Sequence, residues 1–202
     1  MSDSNLTSDT ILVESLKNGD RAEFAKLVEV YSSQIYKLAF RILENQRDAE
    51  DVLQETFLKA YRSIATFEGR SSLATWLYRI ATNEALMIIR KQKPELSLEI
   101  EGQDDREDEI APPYHLTDWR FLPEKVLQSS ETKQQMDRAV QRLPASLRAV
   151  FLLRDVESLS VKETAETLRI SEGAVKTRLL RARLRLREDL SDYFGKALTE
   201  NV

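Results

Sequence analysis

Residues 160–190 of this 202-residue chain read SVKETAETLRISEGAVKTRLLRARLRLREDL. Their pattern predicts two helices, at about 161–168 and 172–190, separated by a three-residue turn. Ser160 followed by Glu163 predicts a capping box, and Ser171 is a good N-cap for the second helix. At about 100° per residue, one apolar face of that helix consists of Val175, Leu179, Ala182 and Leu186. This spacing is typical of a helix-turn-helix, whose second helix enters the major groove of DNA.

The second of these helices is strongly basic. Residues 172–187 contain six basic residues and one acidic residue, Glu172. So many cations on one helix repel each other unless phosphates balance them. The side chains expected to point away from the core are Lys176, Thr177, Leu180 and Arg181. We predict that Lys176 and Arg181 reach base edges. The other arginines would contact phosphates or support the fold: Arg178, Arg183, Arg185 and Arg187. The alternative is a basic helix that is only solvated, or one that forms salt bridges with the acidic segment at 94–124.

A proline-rich acidic segment divides the chain. Residues 94–124 hold four of the five prolines and have two basic residues against ten acidic ones. Residues 1–93 are neutral, whereas residues 125–202 have 15 basic and 11 acidic residues. Dense charge without periodicity is typical of a linker. We therefore predict two small helical domains, 1–93 and 125–202, joined by an acidic flexible linker at 94–124. The predicted fold is all-α, because no segment alternates polar and apolar residues.

Apolar spacing predicts three helices in the first domain, at about residues 20–43, 49–64 and 72–92. Gly19 is expected to end a shorter helix before the first of them. The expected N-caps are Asp20 with Glu23 three residues later, Asp48, and Ser72. The expected inward side chains include Leu53 and Tyr61 in the second helix and Leu73, Leu77, Ile80, Ala81 and Ile88 in the third.

The second domain is expected to begin with an amphipathic helix from Glu124 to Arg142. Leu143 and Pro144 break this pattern. Proline is common at the first position of a helix, so Pro144 is expected to open the next helix, which would end at about Asp155.

Two polar groups in the first domain are candidate binding residues. Trp76, Asn83 and Arg90 are spaced seven apart on one helix, with Arg79 beside them. This line could hold unstacked bases by stacking and by amide pairing, although Trp76 in the core is the alternative. The start of the preceding helix carries Asp48, Glu50, Asp51, Gln54 and Glu55. These side chains either compensate the helix dipole or form an acidic docking face for a basic partner.

Both domains resemble the extracytoplasmic-function (group IV) sigma factors. The first domain is similar to their conserved region two at DAEDVLQETF (48–57), FEGR (67–70) and TWLYRIATN (75–83). The second is similar to their region four at LP (143–144), VFLLR (150–154) and 159–187. Together these regions span most of the chain outside the linker, in the order that the family has.

The resemblance implies an alternative sigma factor that directs RNA polymerase to promoters. Region two would dock on the clamp helices of the largest polymerase subunit through Asp48, Asp51, Gln54, Glu55 and Leu58. It would melt and hold the minus-ten element through Phe67, Gly69, Arg70, Ser71, Trp76, Arg79 and Asn83, with Asn83 capturing a flipped base. Region four would touch the polymerase flap and read the minus-thirty-five element through Lys176, Thr177, Arg178, Leu180, Arg181 and Arg183. The linker would run toward the RNA exit path, and an anti-sigma factor is an expected partner.

Other function classes fit the sequence less well. A two-domain regulator with a receiver would need alternating strands and helices and a phosphorylatable aspartate, which the first domain does not show. An enzyme with a carboxylate metal site would use the acids at 48–55, but the one histidine, His115, lies in the linker and no Glu-x-x-His pair exists. Without cysteines there are no disulfide or thiolate sites. We expect no catalytic residue, metal or cofactor, no membrane span, and a cytoplasmic location.

Overall fold

The computed structural model describes residues 13–92 and 130–199. Helices and turns make up these ranges, with no strand in them, which confirms the predicted all-α fold. The chain divides into two compact units, Met1–Ile89 and Arg90–Val202. The predicted linker at 94–124 and the start of the helix predicted from Glu124 lie outside the described residues. Among the helices in these ranges, none has both the length and the apolar character needed to cross a lipid bilayer.

Within residues 13–92, three long helices build the first unit. They are α1 (Arg21–Leu43), α2 (Gln46–Ser63), which continues into a 3-10 turn at Ile64–Thr66, and α3 (Leu73–Gln92). Before them, residues 13–17 are helical, and the chain leaves this turn at Gly19, whose φ of 79° is left-handed. The Asp20 carboxylate then accepts hydrogen bonds from the amides of Ala22 at 2.8 Å and Glu23 at 3.2 Å. The predicted end of the short helix and the Asp20 cap are therefore confirmed, whereas Glu23, the expected second member of the capping pair, contacts Lys26 with its carboxylate.

The N-cap of α2 is Asn45, and the prediction of Asp48 was wrong. The Asn45 side chain accepts a hydrogen bond from the Asp48 amide at 3.1 Å. The preceding helix ends at Glu44, which is left-handed with a φ of 59°. Asn and Asp are about equally good caps. Because the connection after α1 is short, α2 begins early in the sequence and Asn45, not Asp48, is its cap. Asp48 consequently lies inside the first turn, where the helix dipole favours a carboxylate.

The core of the first unit follows the predicted helical spacing. Its most deeply buried side chains are Leu27, Ile35, Leu38 and Ile42 of α1, Ala49, Val52 and Ala60 of α2, and Leu77, Ala81 and Ala85 of α3. Tyr61 departs from the prediction, since it is 46% exposed. Ile80 and Ile88 were also expected inward but are half-buried. Ile80 lies at the edge of the buried face of α3, and Ile88 lies near the C-terminal end of that helix.

Residues 130–199 of the second unit form four helices. They are α4 (Ser130–Arg142), α5 (Ala145–Phe151) with a π-helical turn at Leu152–Val156, α6 (Val161–Leu168) and α7 (Glu172–Thr199). Pro144 is the N-cap of α5, where its ψ of 144° is extended, so its predicted place at the first helical position was one residue too late. The last helix continues past the predicted end at Leu190, because no proline follows to stop it.

Arg148 connects α4 to α5 across the break at Leu143 and Pro144. Its guanidinium is buried, and Nη1 donates a hydrogen bond to the backbone carbonyl of Gln141 at 3.0 Å. This bond satisfies a carbonyl in the last turn of α4, which has no partner within the helix. Burial lowers the pKa of Arg148 to about 10, so the side chain remains charged at neutral pH.

Candidate functional site

The helix-turn-helix is formed by α6 and α7, as predicted. The Ser160 amide donates to Glu163 Oε2 at 2.8 Å, and the Glu163 amide donates to Ser160 Oγ at 3.1 Å, which completes the capping box. Helix α6 ends at Arg169, whose left-handed φ of 56° turns the chain. Ser171 Oγ accepts from the Ala174 amide at 3.0 Å and caps α7. Side-chain caps therefore begin both helices, whereas the left-handed backbone of Arg169 ends α6.

The two faces of α7 are also arranged as predicted. Val175, Leu179, Ala182 and Leu186 are buried. Toward the outside, Lys176 is exposed, and Thr177, Leu180 and Arg181 are half-buried. Residues 171–173 at the start of the helix are exposed, so a partner can reach the outward face of its first turns.

Two of the six residues expected to contact the minus-thirty-five element are held by contacts within the second unit. The Arg178 side chain is 5% exposed and lies within the unit. The Arg183 guanidinium makes two hydrogen bonds to Asp155, Nε to Oδ2 at 2.9 Å and Nη2 to Oδ1 at 2.7 Å. Asp155 belongs to the π-helical turn after α5, so this bidentate pair ties that turn to α7. Such paired bonds hold geometry as well as adding energy.

Replacing Asp155 by Asn is expected to weaken the packing of α7 by about 1–3 kcal/mol. The Asp155 side chain is only 9% exposed, and its loss of charge leaves the Arg183 guanidinium poorly compensated. Hydrogen–deuterium exchange of peptides from residues 172–190 in the intact chain would measure the loss as faster exchange. Lys162→Gln is the control, because this exposed side chain on α6 should change protection little. Unchanged protection in Asp155→Asn would mean that the pair does not anchor α7.

In the first unit, the loop at residues 67–72 is anchored at both ends. The Phe67 ring is buried, and its centroid lies 5.2 Å from that of Trp76. At the other end, Ser72 Oγ accepts from the Thr75 amide at 3.0 Å and caps α3. Between these points the loop is open to solvent. Gly69 there has a φ of 72°, a left-handed value that favours glycine.

This arrangement changes the expectation for Phe67, which was predicted to contact the promoter. A buried ring packed on Trp76 holds the loop in place and is not presented to a ligand. The exposed part of the loop carries Arg70, whose Nε lies 2.8 Å from Glu68 Oε2. Both side chains are solvated, so this ion pair is weak and leaves Arg70 available to an anionic partner. Ser71 is half-buried beside it.

The predicted line on α3 lies at the surface of the helix. Arg79 is exposed, and Trp76, Asn83 and Arg90 are half-buried. Asn83 follows the fully buried Ala81 by two residues, which at about 100° per residue places it on nearly the opposite side of the helix. The line is therefore turned away from the core, with Trp76 partly occupied by its contact with Phe67.

The proposed docking face on α2 is acidic at one end and apolar at the other. Asp51 and Gln54 are exposed, and Asp48 and Glu55 are half-buried. Leu58 is 50% exposed and Tyr61, three residues later, is 46% exposed. The Tyr61 ring packs edge-on against Phe24 with centroids 5.0 Å apart. Tyr61 was predicted inward because the helical spacing places it at the border of the buried stripe. An aromatic side chain one turn from an exposed leucine is nevertheless a sequence signal for a surface contact.

A polar contact between α2 and α3 was not predicted. Lys59 Nζ lies 2.5 Å from Glu84 Oε1 and 3.6 Å from Glu55 Oε1. Glu84 is buried, and on the same helix the Tyr78 hydroxyl donates to Gln34 Oε1 of α1 at 3.1 Å. Lys59 and Glu84 are 25 residues apart in sequence, and Gln34 and Tyr78 are 44 apart. No local sequence pattern can therefore predict these contacts. Within the described residues, no group of three or more acids, histidines or cysteines gathers as metal ligands would.

Comparison with known proteins gives consistent results for both units. The Sigma-70 region 2 family matches residues 27–95, and the Sigma-70 region 4 family matches residues 133–186. The chain is 37% identical over 186 residues to the ECF RNA polymerase sigma factor SigW of Bacillus subtilis, covering 89% of this chain and 95% of that protein. It is 36% identical over 177 residues to the ECF RNA polymerase sigma-E factor of Haemophilus influenzae, covering 87% and 92%.

Solved structures show the same fold. One is CnrH in complex with the cytosolic domain of CnrY, with a TM-score of 0.60, 23% identity and coverage of 91% of this chain and 97% of that one. Another is the sigma factor RpoE in complex with the anti-sigma factor NepR from Bartonella quintana, with a TM-score of 0.61, 24% identity and coverage of 84% and 97%. With its region two and region four matches and its near full-length similarity to these relatives, the chain belongs to the extracytoplasmic-function family of RNA polymerase sigma factors.

Proposed function

We propose that this chain is an alternative sigma factor that binds core RNA polymerase and directs initiation at a specific set of promoters. One observation carries the proposal: a capped helix-turn-helix and a separate unit with an acidic helix face occur in the same chain. Similarity to sigma factors along most of the chain supports the same assignment. We assign region two to residues 1–93, the linker to 94–124 and region four to 125–202.

The first unit would perform two tasks on neighbouring helices. Its α2 face would dock on the clamp helices of the largest polymerase subunit. The docking residues are Asp48, Asp51, Gln54, Glu55 and Leu58, to which the exposed Tyr61 adds an apolar contact. The loop and α3 would open and hold the non-template strand of the minus-ten element. The strand-binding residues are Gly69, Arg70, Ser71, Trp76, Arg79 and Asn83, with Phe67 anchoring the loop beneath them.

The second unit would read the minus-thirty-five element through the outward face of α7. Lys176 and Arg181 supply long donors for base edges, and Thr177 and Leu180 supply shorter contacts. Arg178 and Arg183 would hold the helix in place. The exposed Arg185 and Arg187 would meet phosphates, which set register without reading sequence. The same unit would touch the polymerase flap.

Lys176→Ala or Arg181→Ala is expected to weaken binding to the upstream element by about 1–3 kcal/mol, the value of a good contact between a side chain and a base. A mobility shift with a duplex that carries this element would measure the loss. Lys133→Ala is the matched control, because this exposed lysine lies on α4, outside the proposed interface. A template already opened as a mismatch bubble should not restore activity to the two variants. Full restoration would place the recognition helix elsewhere.

The proposed function is tested by adding the purified chain to core polymerase. We expect co-purification of the two, and run-off transcripts from promoters that core polymerase alone does not use. Failure to bind core, or a transcript pattern unchanged by the chain, would refute the proposal. Binding of a duplex operator without any effect on polymerase would favour a two-domain regulator instead.

We further propose an anti-sigma factor as a partner. One solved structure with this fold is the sigma factor RpoE in complex with the anti-sigma factor NepR. The exposed apolar residues of α2, Leu58 and Tyr61, give such a partner a surface that overlaps the polymerase-docking face. In this role the chain acts in the cytoplasm, where polymerase and chromosome are. It acts as a transcription initiation factor and not as an enzyme, and needs no cofactor.

A further inference from the structure

The Lys59–Glu84 ion pair links the two helices to which the proposed function gives different tasks. Glu84 follows Asn83 directly on α3, and Lys59 follows Leu58 directly on α2. The Glu84 side chain is only 12% exposed, whereas that of Lys59 is 39% exposed. A carboxylate removed from water is unfavourable unless a partner compensates it. The ammonium of Lys59 at 2.5 Å supplies that compensation.

Glu84 lies at one edge of the buried face of α3, and a second hydrogen bond lies at the other edge. Ala81 is fully buried and marks the middle of this face. Tyr78 comes three residues before Ala81 and Glu84 three residues after it, which places them about 60° to either side. Tyr78 bonds to Gln34 on α1 at 3.1 Å, and Glu84 bonds to Lys59 on α2. The two bonds therefore oppose rotation of α3 in opposite directions.

This rotation determines where Asn83 points. Side chains lie about 5–6 Å from a helix axis, so a rotation of 10–20° moves the Asn83 amide by about 1–2 Å. Recognition groups must be held within about 0.5 Å and 10–20° of their working geometry. The small side chains at Ala81 and Ala85 form the middle of the buried face. The larger side chains of Leu73, Leu77, Leu86 and Ile89 are buried on the same helix, and the polar contacts at the edges of the face add directional bonds to this packing.

We propose that Lys59 and Glu84 are positioning residues for promoter opening, because their ion pair fixes the rotation of α3 that presents Asn83 to the displaced strand. The inference rests on the proposed function. It gives the pair a role that packing alone does not fill. An apolar pair of similar size often replaces a buried ion pair without loss of stability, but it lacks the directional bond that resists rotation.

That difference defines the variants for the test. Glu84→Gln removes the charge and keeps the shape. The double variant Lys59→Met with Glu84→Met replaces the ion pair by apolar contact. Glu23→Gln is the control, because it removes the carboxylate of another ion pair, the exposed Glu23–Lys26 pair on α1. Each full-length protein is assembled with core polymerase, and three quantities are measured: affinity for core, opening rate of a duplex promoter followed by 2-aminopurine fluorescence at the minus-ten element, and initiation from a pre-melted bubble.

We expect both test variants to fold and to bind core within about twofold of the unmodified protein. Opening of duplex promoter should be about 10-fold slower, in line with the effect of ångström-scale misplacement, and the bubble template should restore initiation to within about twofold. The Glu23→Gln control should match the unmodified protein in all three measurements.

Duplex opening at the normal rate in the double-Met variant would overturn the inference, since packing alone would then suffice. Equal losses on duplex and bubble templates would also overturn it, as would failure of both variants to fold, which would make the pair a stability element. These results differ from failure of the proposed function, in which the unmodified chain itself does not bind core or does not yield promoter-specific transcripts.

Discussion

Asp51→Arg combined with Glu55→Arg is expected to weaken binding of the chain to core RNA polymerase by about 100-fold or more. Asp51 is exposed and Glu55 half-buried on the proposed docking face of α2. Facing a basic surface, two reversed charges replace attraction with repulsion, which costs several kcal/mol at an interface. Each 1.4 kcal/mol is about a tenfold change in affinity. Folding should be little affected, because arginine and glutamate have similar helix propensities.

The measurement is competition for core polymerase against a fluorescently labelled copy of the unmodified chain, with helicity checked by circular dichroism. Glu14→Arg with Glu29→Arg is a charge-matched control, since both acids are exposed in the first unit and neither belongs to α2. The control should bind core within about threefold of the unmodified chain. A folded Asp51→Arg, Glu55→Arg protein with normal affinity would remove α2 from the polymerase interface.

Asn83→Ala is expected to abolish most promoter opening while leaving the closed complex intact. Asn83 is half-buried, on the side of α3 nearly opposite the fully buried Ala81. Extruding a base from a duplex costs a few kcal/mol, and contacts between the base and a fitted pocket must offset that cost. Without the amide, opening should slow by about 100-fold, the rate equivalent of roughly 3 kcal/mol.

Permanganate reactivity of thymines in the minus-ten region would measure opening, beside a mobility shift of the closed complex. We expect lost reactivity, a normal shift, and partial rescue on a pre-melted template. Asn18→Ala is the control, because it removes an exposed amide far along the chain from α3. Normal reactivity in Asn83→Ala would make this residue an ordinary surface amide, and the line from Trp76 to Arg90 would then have only a structural role.

The starts of helices were predicted correctly wherever a capping side chain bonds to an amide in the first turn of its own helix. Asp20, Ser72, Ser160 and Ser171 each accept a bond from an amide two or three residues ahead. Such contacts depend on neighbours in sequence and not on the fold. The error at Asn45 has the same origin, because two suitable caps lay close together and only the length of the connection after α1 distinguished them.

Side-chain contacts between helices could not be predicted from the sequence. Asp155 with Arg183, and Lys59 with Glu84, join residues 28 and 25 positions apart, and each depends on how two helices cross. For the same reason, basic residues on α7 could not be sorted into anchors and DNA contacts. Arg181 and Arg183 are two residues apart, and only the position of Asp155 shows that Arg183 is an anchor. The burial of Phe67 could not be predicted either, because a loop aromatic can face solvent or pack beneath its own loop.

In the proposed interface, the placement of the arginines on α7 limits how strongly salt controls binding to the upstream element. With Arg178 buried and Arg183 held by Asp155, at most four basic side chains of residues 172–187 can displace counterions from DNA. Each neutralised phosphate contributes about −0.9 to the slope of log affinity against log salt. The helix itself therefore contributes a slope no steeper than about −4, instead of the −5 or more that six cations would give. Changes in intracellular ions should consequently perturb recognition of the upstream element less than the charge of this helix implies.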